Sequence, residues 1–78
     1  MSWHRPQNKE LTDKQKLFMH YVAQGLSNAK IAEQMDMQPN IADQYSERIK
    51  LKLDLFSKEE LKQYAIDNGY LTQEVIHE

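Results

Sequence analysis

The stretch Ala23-Gln24-Gly25-Leu26-Ser27-Asn28-Ala29-Lys30-Ile31-Ala32-Glu33-Gln34-Met35-Asp36-Met37-Gln38-Pro39 carries the reading of the fold. Gly25 supplies the left-handed residue that ends a helix, with Leu26 placed to fold back onto it. Ser27 or Asn28 then caps a short second helix whose inner face is Ile31, Ala32 and Met35. Asp36-Met37-Gln38 is a tight connection. Pro39 suits the first turn of the next helix, where a missing amide proton costs nothing.

Working outward, Thr12 opens a first helix, and Gln15 three positions on gives a capping-box spacing. Leu17, Phe18, Tyr21 and Val22 form its apolar stripe. A third helix runs from about Pro39 to Leu53, with Ile41, Ala42, Tyr45, Ile49 and Leu53 at roughly helical spacing. Ser57 caps a fourth helix, Glu60 completes a second capping box, Leu61, Tyr64 and Ala65 line its buried side, and Asn68-Gly69 stops it. Residues 1–10 hold Pro6 and no helical period and read as a flexible arm. Residues 72–78 read as a tail, and 11–71 as the domain. A very short second helix held tightly to the third describes a helix-turn-helix unit: the second helix braces and the third is presented. In versions of this unit that bind DNA the presented helix lies in the major groove.

The 78 residues make one domain, with few helix breakers (Gly 2, Pro 2), so the expected class is all-α. Cysteine is absent, which excludes disulfides and thiolate metal sites. The three histidines have no i, i+4 pair, so no metal or other cofactor is expected. No apolar run approaches a membrane span and no signal peptide opens the chain, which indicates a cytoplasmic protein. Catalysis is set aside: there is no Gly-rich phosphate loop, no plausible nucleophile–base grouping, and little volume for a pocket.

Leu11-Thr12 through Phe18-Met19, Ala23 to Asn28 and Ile31 to Met35, followed by Ile49 to Leu55, Ser57 to Ala65 and Asn68-Gly69-Tyr70-Leu71, resemble the C-terminal helix-turn-helix domain of the LuxR/FixJ family of bacterial regulators. The resemblance covers residues 11–71. It implies the four-helix LuxR/FixJ output fold, transcription regulation through double-stranded DNA, and dimerisation through the fourth helix. Without the receiver or ligand domain that usually accompanies the fold, the sequence reads as a small stand-alone regulator or as a fragment of a longer chain. Relatives typically open the third helix with Ser-x-x-Thr-Val-Lys-x-His and a further basic residue. Here those positions are Gln38, Ile41, Ala42, Asp43 and Tyr45, with Glu47 at the later one, and a basic position of the second helix is Ala29, beside Lys30.

Asp43 and Glu47 are four apart and share one helical face. Asn40, Gln44 and Leu51 lie on or beside it, while Ala42, Tyr45 and Ile49 turn inward. Basic contacts to phosphate release counterions and supply most of the affinity for DNA. Carboxylates lose that contribution and add repulsion, although Asp or Glu can accept from cytosine N4. Net charge is −2 overall, with 10 basic and 12 acidic residues. Support must come from Arg48, Lys50 and Lys52, from Lys14 and Lys16, and from Arg5 and Lys9 on the arm. The expected DNA contacts are Lys30, Lys50 and Lys52 toward phosphates and Asn40, Asp43, Gln44 and Glu47 near base edges, with binding weak and salt-dependent. The acidic pair also fits a partner-binding face without DNA affinity, or a merely solvated surface. Trp3 of the arm either stacks on a base, anchors a partner or packs on its own domain. Tyr64, Ile66 and the tail residues Leu71, Val75 and Ile76 exceed what one small core needs, and they either serve association or let the tail fold back over its own domain. The dimerisation that the resemblance implies places Leu61, Tyr64, Ala65 and Leu71 at a homodimer interface or in a heterodimer with another regulator. The alternative function is an interaction module or anti-regulator that engages such a partner through residues 58–76.

Overall fold

Thr12 fixes where the first helix begins. Its Oγ1 accepts the Gln15 N–H at 3.1 Å, and Gln15 Oε1 accepts the Thr12 N–H at 2.9 Å, so both halves of the capping box form. In the computed structural model, which describes residues 11–71, α1 spans Asp13–Ala23, α2 Asn28–Met35, α3 Pro39–Leu53 and α4 Lys58–Asp67. The arm (1–10, with Trp3, His4, Arg5 and Lys9) and the tail (72–78, with Val75 and Ile76) lie outside the described residues. Gly25, at φ +90°, closes α1: its N–H reaches Val22 O at 2.9 Å and Leu26 N–H reaches Tyr21 O at 3.3 Å. These two hydrogen bonds satisfy carbonyls that a helix end leaves over, and the backbone angle favours glycine.

Ser27 rather than Asn28 caps α2, its Oγ accepting the Lys30 N–H at 3.2 Å. The turn into α3 is made by Asp36 at φ 58°, followed by Met37, whose N–H donates to Ala32 O at 2.9 Å. A short polar side chain tolerates this left-handed conformation better than most. Gln38 makes no side-chain cap bond, and Pro39 stands in the first turn of α3. At α4, Ser57 Oγ accepts the Glu60 N–H at 3.1 Å. The second capping box departs from expectation: Glu60 Oε1 takes the N–H of Phe56, at 2.7 Å, instead of that of Ser57. The carboxylate satisfies a donor one residue further upstream.

α1 is the centre of the bundle: α4 packs on it chiefly, α2 and α3 also touch it, and α3 packs mainly on α2. Phe18, Met19, Val22, Ile31, Ile49 and Leu61 are the largest fully buried side chains. Met19 and Ala23 are buried while Leu17 is only partly so, because a helix covered from two directions buries a face wider than one stripe. The Phe18 ring stacks on Tyr45 of α3 with centroids 5.6 Å apart. Ser46 is buried on α3, and no buried side-chain nitrogen or oxygen lacks a partner among the described residues. His20 ties α1 to the turn after α4: its Nδ1–H donates to Tyr70 O at 2.8 Å while Nε2 accepts from Gln24 Nε2 at 2.8 Å.

Candidate nucleic-acid interface

Ala42, Ser46, Ile49 and Leu53 seat α3 in the core, so the opposite side of the helix is turned outward. That side carries Asp43, Gln44, Glu47, Arg48 and Leu51, all exposed, around a shallow hollow of about 320 Å³. The acidic pair therefore stands on the outward face of the presented helix. A second hollow of about 300 Å³ lies between the start of α1 and α3, where Thr12 and Gln15 face Gln44, Tyr45 and Arg48.

Behind each carboxylate stands a cation. Asn28, the first residue of α2, donates from Nδ2 to Asp43 Oδ1 at 3.0 Å, and Lys58 of α4 donates from Nζ to Asn28 Oδ1 at 2.9 Å. Glu47 pairs with Lys50 at 3.0 Å; the Lys50 side chain is 17% exposed and that of Glu47 70%. Burial pushes the Lys58 ammonium below its ordinary 10.5, the nearby Lys50 charge pushes the same way, and Asp43 opposes both. Lys50 and Lys58 lie beneath the two carboxylates, while Arg48 and Gln44 stand exposed beside them, so the face offers carboxylate acceptors together with the donors of Arg48 and Gln44.

This presented helix on a short bracing helix, closed by α1 and α4, is the context in which a comparison of the sequence becomes decisive: residues 9–65 match the GerE family, bacterial regulatory proteins of the luxR family. The chain belongs to the LuxR family of bacterial regulatory proteins. No curated protein and no solved structure matches it. The matched span contains α1, α2, α3 and most of α4, and so the whole outward face of α3. A LuxR-family match supports a DNA-binding domain of regulator type, with α2, the Asp36-Met37-Gln38 turn and α3 as its helix-turn-helix.

Among the residues the sequence singles out in this LuxR-family domain, Asp43, Gln44 and Glu47 are brought together on the outward face, with Asn40 exposed one turn earlier. Lys50 is drawn beneath the face by Glu47. Lys52 points toward α1, with Nζ 3.3 Å from Gln15 Oε1. Lys30 is exposed on α2 beside Glu33, at 3.6 Å, a pairing worth only about 0.2–0.5 kcal/mol. Asn28 and Lys58 were not singled out as site residues, because no spacing rule connects positions that distant in sequence.

The association surface needs correction. Leu61 and Ala65 have no exposed area, because α4 turns that stripe onto α1 within its own domain. Tyr64 is half-buried, and the accessible apolar side chains at that end are Ile66 (37% exposed) and Leu71 (41%). Among the described residues no cluster of three or more His, Cys, Asp or Glu side chains is placed to hold a metal, and no helix is long and apolar enough to cross a membrane.

Proposed function

We propose that this LuxR-family domain is a bacterial, cytoplasmic transcription regulator that lays α3 in the major groove of duplex DNA. Asn40, Asp43, Gln44 and Glu47 face base edges. Lys30 and Arg48 are the accessible cations nearest to phosphate, and Lys50 and Lys52 reach phosphate only by leaving Glu47 and Gln15. The observation that carries this reading is the outward polar face of α3, braced by α2 within a family of regulators. Such a face makes few phosphate contacts. If two or three form, affinity for mixed-sequence duplex should fall roughly ten- to fortyfold between about 50 and 200 mM salt, much less than for a strongly basic domain. Titration of the protein into labelled mixed-sequence duplex at both salt concentrations tests this. No binding at the lower one would rule the reading out.

A second reading is favoured by Leu51, which is 80% exposed one turn beyond Glu47 on the outward face of α3. An apolar side chain there suits a protein better than a polyanion. Under it the domain does not bind DNA and acts as an anti-regulator, engaging another transcription regulator through α4. Both readings include association at the α4 end, through Tyr64, Ile66 and Leu71 rather than Leu61 and Ala65. Sedimentation over a range of concentrations should show a monomer–dimer equilibrium. A strict monomer throughout would remove self-association and leave only a mixed pair.

A further inference from the structure

Asn28 does more than begin α2. Its amide bridges two elements at once, giving an N–H to Asp43 Oδ1 at 3.0 Å and receiving the Lys58 ammonium on its own oxygen at 2.9 Å. Because a lysine ammonium only donates, Lys58 fixes which end of the amide faces α4, and the NH₂ end must then face Asp43. One Asp43 oxygen is thereby engaged, and the carboxylate is held at one angle on an otherwise exposed helix surface. Its second oxygen keeps its lone pairs, and the lysine at the end of the chain offsets part of its charge. We propose that Asn28 is a positioning residue, acting with Lys58, which orients Asp43 to accept a hydrogen bond from the exocyclic amino group of a base in the major groove, cytosine N4 in the first place. This rests on the DNA-binding reading above, and adds which residue sets specificity and which base it prefers.

The chemistry favours cytosine for a definite reason. An ionised carboxylate has acceptors only, so it is repelled by guanine O6 and N7 and thymine O4, which are acceptors too. Adenine offers an N6 donor but sets its N7 acceptor beside it, whereas cytosine offers N4 without such a neighbour on its own edge. A freely rotating aspartate would average over these options and lose the preference to solvent. A carboxylate already tied by Asn28 has one orientation, so its discrimination depends on that tie.

Selection from a randomised duplex pool at low salt, followed by sequencing, reads the proposal directly. The wild type should enrich a cytosine at one position by about tenfold, the size expected of one charge-assisted hydrogen bond. Asn28→Ala should lose that enrichment while keeping affinity for mixed-sequence duplex within about twofold. Lys58→Met, which keeps the Asn28–Asp43 contact and the aliphatic stem, should reduce it by a smaller factor and covers the case in which Asn28→Ala does not fold. Asp43→Asn should move the preference toward adenine, whose N6 and N7 an amide matches. A wild-type motif unchanged by Asn28→Ala and by Lys58→Met would overturn the positioning role and leave DNA binding standing. Equal loss of affinity for every sequence would overturn it as well, since that is a fold or phosphate effect. A wild type that binds duplex yet enriches nothing would overturn the base preference, and one that binds no duplex would remove the DNA reading with it.

Discussion

Phe18→Ala should destabilise the domain by about 3–5 kcal/mol, a large share of what holds it folded. Phe18 has no exposed area and stacks on Tyr45, so one side chain couples the central helix to the presented one. Truncating a fully buried phenylalanine costs about 3–5 kcal/mol in lost burial and residual cavity. A 78-residue chain is expected to have only about 4–12 kcal/mol in all, at roughly 0.05–0.15 kcal/mol per residue. Urea unfolding followed by far-ultraviolet circular dichroism measures the difference, with Leu51→Ala as the comparison. Leu51 is 80% exposed, and its truncation should stay within about 0.5 kcal/mol of wild type. A loss at Phe18 below about 1 kcal/mol would mean that α3 is not held on α1 in the way described, and the orientation of its outward face would be lost with it.

The features legible in the sequence are those decided within one turn of chain. The Thr12–Gln15 pair, the Gly25 stop, the Pro39 start and the inward set Ala42, Tyr45 and Ile49 each follow from a spacing of three or four residues and the geometry of a helix. The outward placement of Asp43 and Glu47 follows from the same periodicity. What periodicity cannot supply is the identity of the neighbour. Leu61 and Ala65 mark an apolar face on α4, but the pattern is the same whether α1 or a second copy covers it; in the fold it is α1. The bridges from Asn28 to Asp43, from Lys58 to Asn28 and from His20 to Tyr70 depend on how separate helices are set against one another. Glu60 missed its expected partner by one residue because a flexible carboxylate takes whichever nearby N–H the loop presents, here that of Phe56.

The double change Asp43→Lys with Glu47→Lys should raise affinity for mixed-sequence duplex by about a hundredfold or more at low salt, while abolishing any preference among bases. The substitutions shift the net charge from −2 to +2, and both new ammoniums stand on the outward side of α3, where the parent side chains are exposed. If each meets one phosphate, the logarithm of the binding constant should fall more steeply with the logarithm of salt by about 0.9 per contact. The gain should therefore shrink as salt rises, which a general increase in stickiness through apolar surface would not do. The same change has a structural cost. Lys50 loses its partner at 3.0 Å, and Asn28 no longer has a carboxylate to receive its N–H while Lys58 stands behind it. The two new ammoniums then join Arg48, Lys50 and Lys58 on one side of the domain, so the melting temperature should fall even as DNA affinity rises. Opposite movements of those two quantities are the signature of a face whose charge is arranged for selectivity rather than for strength. Affinity that stays within twofold of wild type in a folded double mutant would show that duplex DNA does not meet this side of α3, and the face would then belong to a protein partner.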